Sequence, residues 1–301
     1  MGNKVYKEGE VAHIYRRSRD GRILFYTPID YLVIFIIVCV AARKYGIEML
    51  GFCPMVDHLH LLVRAKSAKD ISSFMRDLTS QYAVSFNSVS GESGPVFDDE
   101  YGLANKLRDK VVRTGINYLY NNPVEKKLCS RAEDWQWNFL AYMVSTHPFS
   151  EKLRLANAPW KLRKAVKYVR HQAEKGNRIS YRRLTLLYDG LDEKQSRQLT
   201  DRIISSYNVI DYGSLLRYYA SYDAMVLAMK SNTGSEYDIR EEFNSGSDRA
   251  YFVMTKELEK DCISGTDRIL SLGVADRVKY ADMFVRRRIA SRYQVRKYFH
   301  L

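Results

Sequence analysis

The alternation of apolar and polar positions divides the first part of the chain into short elements. The segment VAHIYRRSRDGRILFY predicts a strand, a turn at Asp20-Gly21 and a short return strand. Pro28 is a typical first residue of a helix, which we expect to run through Lys44 and to end at the glycine that follows. The apolar runs at residues 47–52 and 59–63 have strand length. The Pro-containing turn between them predicts a hairpin.

Helical periodicity returns over residues 68–89, where apolar side chains recur every three or four positions. The glycine-rich segment GESGP ends that helix, and the run VFDD at residues 96–99 predicts a short strand. A further helix is expected from about Asn105 to Asn121, stopping at Pro123. The resulting order of strands and helices is typical of a ferredoxin-like α+β fold, in which helices cover an antiparallel sheet.

Beyond a break near residues 145–148 the hydrophobic periods are predominantly helical. We therefore predict two domains. Residues 1–147 form the domain with the antiparallel sheet, and residues 148–301 form a mostly helical, basic extension. Residues 238–248 within the extension are predicted to be an acidic loop without a chemical role.

Charge is distributed unevenly between these two parts. The 301 residues include 48 Lys and Arg against 35 Asp and Glu, a net charge of +13. Residues 1–150 are nearly balanced at +3, whereas residues 151–301 carry +10. Such an excess favours an anionic partner, in particular a nucleic acid, so we predict that the extension over residues 148–301 binds DNA. The 46% of hydrophobic residues excludes a disordered or fibrous protein.

Neither the cysteines nor the apolar runs indicate a disulfide-bonded protein or a membrane protein. The four cysteines are widely spaced and none forms a CxxC pair, so we expect reduced thiols in a cytoplasmic protein. The apolar run from Tyr31 to Ala42 has 12 residues, which is too short to cross a bilayer. It predicts a buried helix, and we expect no membrane partner.

The candidate chemistry begins with the motif DHLHLLV at residues 57–63. Alternate side chains of a strand face the same side, so His58 and His60 would lie about 7 Å apart, at two rises of roughly 3.3 Å. Two imidazoles at this distance can bind one divalent ion but cannot complete its coordination. The same pair is also typical of the solvent face of a half-buried strand, and this alternative stays open.

A second motif, NYLYNNPV at residues 117–124, lies on the last helix predicted in the first domain. Tyr118 and Asn122 are four residues apart and share one helix face, whereas Tyr120 points elsewhere. A tyrosine hydroxyl beside a bound cation can attack phosphorus and form a covalent phosphotyrosine. The Asn122 side chain can supply an oxygen ligand to Mg²⁺ or Mn²⁺. The alternative is that these tyrosines only pack the helix against the sheet.

Together the two motifs resemble those of the Y1 transposases, members of the HUH superfamily of single-strand nucleases. The resemblance is to the REP-associated tyrosine transposases of IS200/IS605 type in particular. It runs from about Val11 to Tyr142 and includes the segments HIYRRSRDGRILFY, PMVDHLHLLV, GPVFDDEYG, YLYNNPVEKKLC and AEDWQWNFLAY. Two residues depart from the family pattern. Asp57 replaces the more usual Asn or Glu, and Asn121 replaces a common apolar residue.

The resemblance implies both a reaction and a set of site residues. Tyr118 matches the nucleophile, and His58, His60 and Asn122 match the ligands of a divalent cation, Mg²⁺ or Mn²⁺. The implied substrate is single-stranded DNA, often beside a hairpin. The ion polarises the scissile phosphate, and cleavage gives a 5′-phosphotyrosine and a free 3′-OH. Attack by a 3′-OH from another strand can reverse the cleavage and join DNA without ATP. The protein would act as a monomer or a homodimer in the bacterial cytoplasm, associated with the nucleoid.

Arginines near the first turn, after the metal-binding strand and near the carboxyl terminus are candidates for contacts with DNA phosphates. They are Arg16, Arg17, Arg19, Arg22, Arg64, Arg286, Arg287, Arg288, Arg292 and Arg296. The amino-terminal ones are equally typical of a solvated turn. The closing stretch MFVRRRIASRYQVRKYFHL resembles a helix-turn-helix with a recognition helix over about 291–299, although plain solvated basic helices share this pattern.

Two other functions stay open. A catalytically inactive or domesticated DNA- or RNA-binding protein would share the fold, but the complete set of His58, His60, Tyr118 and Asn122 argues against lost chemistry. A metal-dependent phosphohydrolase unrelated to transposition would usually assemble more metal ligands than the sequence offers.

Overall fold

The amino-terminal part of the protein is built on one four-stranded sheet. The computed structural model describes residues 5–231 and 247–301. The strands are β1 (Val11–Arg17), β2 (Glu48–Pro54), β3 (His58–Arg64) and β4 (Gly102–Lys106). Their order is β2-β3-β1-β4, and every neighbouring pair is antiparallel. This order confirms the predicted ferredoxin-like α+β arrangement.

Two helices cover one face of the sheet, α1 (Pro28–Tyr45) and α2 (Ala68–Ser90). Helix α1 begins with a capping box, in which the backbone N–H of Thr27 donates to Asp30 Oδ2 at 2.7 Å. It ends at Gly46, whose φ of 62° is a conformation that glycine adopts without a Cβ clash. The apolar faces of α1 and α2 bury the side chains of β1 and β3 that point toward them.

A third helix, α3 (Asp109–Glu125), covers the opposite face of the sheet. Its buried Ile116 and Leu119 join Leu62 of β3 and Leu50 of β2 in a separate hydrophobic cluster. In the register of β1 and β3, Tyr15 lies opposite His60. Because directly opposite residues of an antiparallel pair point to the same face, these two side chains lie under α3.

Three local predictions in this part of the chain are wrong. Residues 22–26 do not form a return strand but a buried extended segment without a ladder. The strand predicted at residues 96–99 is only a single bridge between Phe97 and Ser18, and β4 follows after it. Helix α3 continues past Pro123. Proline removes only one backbone donor, and the residues around it still form helical hydrogen bonds.

The second part of the chain is helical, as predicted. Its helices are α4 (Trp160–Glu174), α5 (Tyr181–Tyr188), α6 (Glu193–Tyr207), α7 (Tyr212–Leu216), α8 (Tyr222–Ser231), α9 (Arg249–Lys260), α10 (Thr266–Leu270), α11 (Val274–Arg286) and α12 (Arg292–Phe299). The described residues beyond 147 contain no strand, and only Ile210 bridges to Met49 of β2. Most of the acidic loop predicted at residues 238–248 lies outside the described residues, which resume at 247.

The helices of the second part pack directly on the first. Thr266 Oγ1 donates to both carboxylate oxygens of the buried Asp30, at 2.8 and 2.9 Å, and Tyr142 donates to Asp201 at 2.5 Å. One hydrophobic core contains residues from both sides of the predicted boundary at 147/148, which itself stays a prediction. No helix within the described ranges is long and apolar enough to cross a membrane.

Candidate functional site

The site is centred on two histidines of β3. Strand alternation turns His58 and His60 to the face covered by α3, with ring centroids 4.8 Å apart and the rings nearly perpendicular. Both are buried, with 6% and 0% of their surface exposed. Tyr15 of β1 packs on both rings, at 5.3 Å from each centroid. The histidines are therefore held in fixed positions inside the protein, and do not lie on a solvated strand face.

Each histidine uses its Nδ1 atom to contact a residue that fixes its orientation. His58 Nδ1 lies 2.6 Å from Asp57 Oδ1, and His60 Nδ1 lies 3.1 Å from His13 Nε2. When the Nδ1 atom of a histidine is held in this way, the ring orientation is set and Nε2 is available as a ligand. His13 lies on β1 and was not singled out in the sequence, since only the strand register brings it beside His60.

Asn122 of α3 lies beside His60. Its amide Nδ2 lies 3.0 Å from His60 Nε2, and a rotation of the amide by 180° places the oxygen there instead. His58 Nε2 is buried and has no hydrogen-bond partner in the part of the chain that the structure describes. An unpartnered buried nitrogen beside a second imidazole and a side-chain amide fits a divalent cation.

The protonation of His60 agrees with a role as a ligand. Burial, followed by the neighbouring His58 and His13, holds the pKa of His60 well below its usual range. The ring is therefore neutral near pH 7 and keeps the lone pair that a metal ion requires. No cluster of three His, Cys, Asp or Glu side chains suited to a metal occurs in the described residues. A cation at this place therefore needs the amide of Asn122.

Helix α3 places Tyr118 beside the histidines. Its ring centroid lies 5.5 Å from that of His60 and 5.7 Å from that of His13. Tyr118 and Asn122 thus share the helix face that meets the two rings, as their spacing predicts. Tyr120 points away into the hydrophobic cluster, where its hydroxyl donates to the Leu50 carbonyl at 3.0 Å.

Lys297 of α12 reaches this site from the far end of the chain. Its ammonium pairs with Asp57 Oδ2 at 2.5 Å, and the two side chains are 12% and 10% exposed. Burial would raise the pKa of Asp57, but His58 and Lys297 outweigh it and hold this pKa below its usual range. The carboxylate that orients His58 is therefore itself held by the carboxy-terminal helix.

Asp248 is a second residue from the carboxy-terminal part near the site. It precedes α9, and its backbone N–H donates to the Lys126 carbonyl at 3.3 Å, just after α3. Burial and then the charge of Asp57 raise the pKa of Asp248 to about 6. Neither Lys297 nor Asp248 has a local sequence signal, because each lies far from the histidine motif along the chain.

The amino-terminal arginines are largely occupied by the protein itself. Arg16 is buried, and burial lowers the pKa of its guanidinium. Arg19 pairs with an aspartate at 2.8 Å, Arg22 with a glutamate at 3.0 Å, and Arg64 with a glutamate at 2.7 Å. Arg17 is half-buried at the end of β1, opposite His58 in the strand register.

The carboxy-terminal arginines are accessible. All of the predicted ones lie on or between α11 and α12 and are exposed, namely Arg286, Arg287, Arg288, Arg292 and Arg296. The opposite side of α12 is buried through Val295, Tyr298 and Phe299. The helix pair is thus docked on the core with its basic side in solvent, and the helix-turn-helix assignment stays a prediction.

Comparison with known proteins identifies the amino-terminal part. Residues 17–105 match the family described as "Transposase IS200 like". Over this segment the chain is similar to the Y1, IS200-like transposases. The family resemblance of the sequence motifs is thereby confirmed. The matched segment contains His58 and His60 but ends before α3, so that Tyr118 and Asn122 lie outside it.

Similarity of the chain to characterised proteins is low. No curated protein matches the chain. A solved structure of a REP-associated tyrosine transposase bound to a REP hairpin is similar at 18% sequence identity and a TM-score of 0.39. The similarity covers 45% of this chain and 79% of the other.

Proposed function

We propose that this protein is a transposase that cleaves and rejoins single-stranded DNA, with Tyr118 as nucleophile and Mg²⁺ or Mn²⁺ held by His58, His60 and Asn122. The observation that supports it is the cluster of His60, the Asn122 amide at 3.0 Å from His60 Nε2, the Tyr118 ring, and the neighbouring His58 ring with its unpartnered, buried Nε2 among the described residues. When bound, a divalent cation polarises the scissile phosphate and stabilises negative charge on its oxygens.

In the proposed reaction the Tyr118 oxygen forms a bond to phosphorus and the bond from phosphorus to the 3′ oxygen breaks. The tyrosine proton ends on the leaving 3′ oxygen, so the products are a 5′-phosphotyrosine and a 3′-OH. One phosphodiester replaces another, and a 3′-OH from a second strand can reverse the step without ATP. Hairpin-flanked sites are the proposed targets, and the chain is proposed to act as a monomer or homodimer.

The surrounding residues of the chain orient the groups that react. Asp57 and His13 hold the Nδ1 atoms of the two histidines, and His60 Nε2 faces the Asn122 amide at 3.0 Å. Tyr118 is only 5% exposed. The proposed nucleophile is therefore largely shielded from solvent.

The test is incubation of the full chain with labelled single-stranded hairpin DNA and Mn²⁺ or Mg²⁺. We expect a covalent protein–DNA adduct, seen as a shifted band on a denaturing gel, that Tyr118→Phe abolishes. Tyr120→Phe is the matched control and should keep the adduct, because that hydroxyl faces the Leu50 carbonyl. An adduct that survives Tyr118→Phe would refute the nucleophile. Tight binding without an adduct across many hairpins would support the non-catalytic DNA- or RNA-binding alternative.

A further inference from the structure

A groove of about 560 Å³ lies between α4 and α5, away from the proposed catalytic site. Helices α5 and α6 pack on α1, and α4 packs on α6. Helix α1 covers the sheet face opposite to the one that carries His58 and His60. The groove therefore belongs to the other side of the protein, and its size suits a base with its sugar-phosphate.

The wall of the groove on α4 is strongly basic. Lys161, Lys164 and Lys167 are exposed, and none has a carboxylate within ion-pair distance among residues 5–231 and 247–301. Two acidic residues line the groove, and one of them, Glu174, is paired with Arg170 at 3.6 Å. Unneutralised ammonium groups on one wall create a positive potential that favours an anionic ligand.

Aromatic rings lie among these cations. Trp160, in the first turn of α4, is 63% exposed, which is unusual for the largest apolar side chain. The ammonium of Lys164 lies 4.8 Å from the centroid of the Trp160 ring. Across the groove, the Arg183 guanidinium lies 4.4 Å from the centroid of the Tyr168 ring. Flat rings that alternate with cations are the combination that binds unpaired bases together with their phosphates.

We propose that this α4–α5 groove is a second nucleic-acid site, which binds single-stranded DNA or RNA without sequence preference. A base stacks on Trp160, and the adjacent phosphates contact Lys161, Lys164 and Lys167. The site acts independently of strand cleavage, because it lies on the opposite side of the sheet from Tyr118. A concave site with cations over ring faces fits a strand better than a membrane surface, for which apolar side chains would project outward.

Fluorescence anisotropy of the full chain with labelled dT20 and U20 in EDTA tests the proposal, because these strands form no hairpin and EDTA removes divalent metal. Trp160→Ala should weaken binding about tenfold, or about 1.4 kcal/mol, whereas Trp160→Phe keeps a ring and should recover most of it. Equal losses on dT20 and U20 indicate recognition of base and phosphate, and a loss confined to U20 indicates an RNA site.

The charge contribution is tested by salt dependence. The double variant Lys161→Gln/Lys164→Gln should lower the slope of log affinity against log salt by about 1.4, since each phosphate contact to a single strand contributes about 0.7. Lys69→Gln/Lys256→Gln removes the same charge from exposed lysines outside the groove and should leave the slope nearly unchanged. Thermal melting checks that each variant is folded.

Two outcomes would overturn the proposal. One is that the groove variants and the Lys69/Lys256 control bind oligonucleotides equally well. The other is that Trp160→Ala impairs binding to vesicles of anionic phospholipid but not to oligonucleotides. Both outcomes are measured by binding and are therefore independent of the covalent-adduct assay. If no adduct forms but the groove variants lose affinity as expected, only the proposed catalysis is contradicted. If the adduct forms but the groove variants bind oligonucleotides as the wild type does, only the groove proposal is contradicted.

Discussion

Lys297→Met should damage the proposed metal site from the opposite end of the chain. The substitution removes the ammonium that pairs with Asp57 but keeps a side chain of similar length. Asp57 then loses one of its two partners and retains only His58. Because Asp57 orients His58, we expect the variant to lose both stability and affinity for the cation.

The magnitudes follow from burial. Removing one partner of a buried ion pair costs about 3–5 kcal/mol. Lys297 and Asp57 are 12% and 10% exposed, so residual solvation places the expected loss in the free energy of unfolding at the lower end, about 3 kcal/mol. Loss of a residue that orients a metal ligand typically weakens metal binding or activity by about 10- to 100-fold.

A double-mutant cycle measures the pair itself. Urea unfolding and Mn²⁺ titration by calorimetry are compared for the wild type, Lys297→Met, Asp57→Asn and the double variant. We expect a coupling free energy of about 2 kcal/mol or more in unfolding. Additive effects, with coupling near zero, would refute the reasoning. Arg296→Met is the matched control, since the neighbouring Arg296 is exposed and should change stability by less than about 0.5 kcal/mol.

Three further predictions concern other buried contacts. His13→Gln should weaken Mn²⁺ binding by about 10-fold or more in calorimetry, because His60 loses the residue that fixes its Nδ1 atom. Thr266→Val should lower the free energy of unfolding by about 2 kcal/mol in urea, because the hydroxyl that donates to the buried carboxylate of Asp30 is lost. Burial would raise the pKa of Glu92, but its histidine and arginine partners hold it below its usual range. The stabilisation from Glu92 is therefore present above about pH 4.5 and lost as the pH falls through the folded-state pKa, so Glu92→Gln should destabilise at pH 7 but much less near pH 3 in pH-dependent urea unfolding. Equal destabilisation at both pH values would contradict this.

Local patterns were sufficient where an element has a strong period and clear ends. Helix α1 lies between its capping residues and Gly46, and β3 carries His58 and His60 on one face, as alternation requires. Local patterns predicted the wrong structure where the signal was weak or misleading. The apolar run around Phe97 looks more like a strand than the residues Gly102–Lys106, which become β4 only because β1 offers them an unpaired edge.

The sequence by itself indicated the resemblance to the Y1 transposases, the α+β fold class and the candidate residues Tyr118, His58, His60 and Asn122, because these depend on short motifs, on the order of elements along the chain and on spacing within single elements. The tertiary structure decided which residues support them. His13 meets His60 only through the register of β1 and β3, and Lys297 meets Asp57 across 240 positions of the chain. Such contacts depend on how strands pair and helices dock, and neighbouring residues in the sequence carry no signal of either.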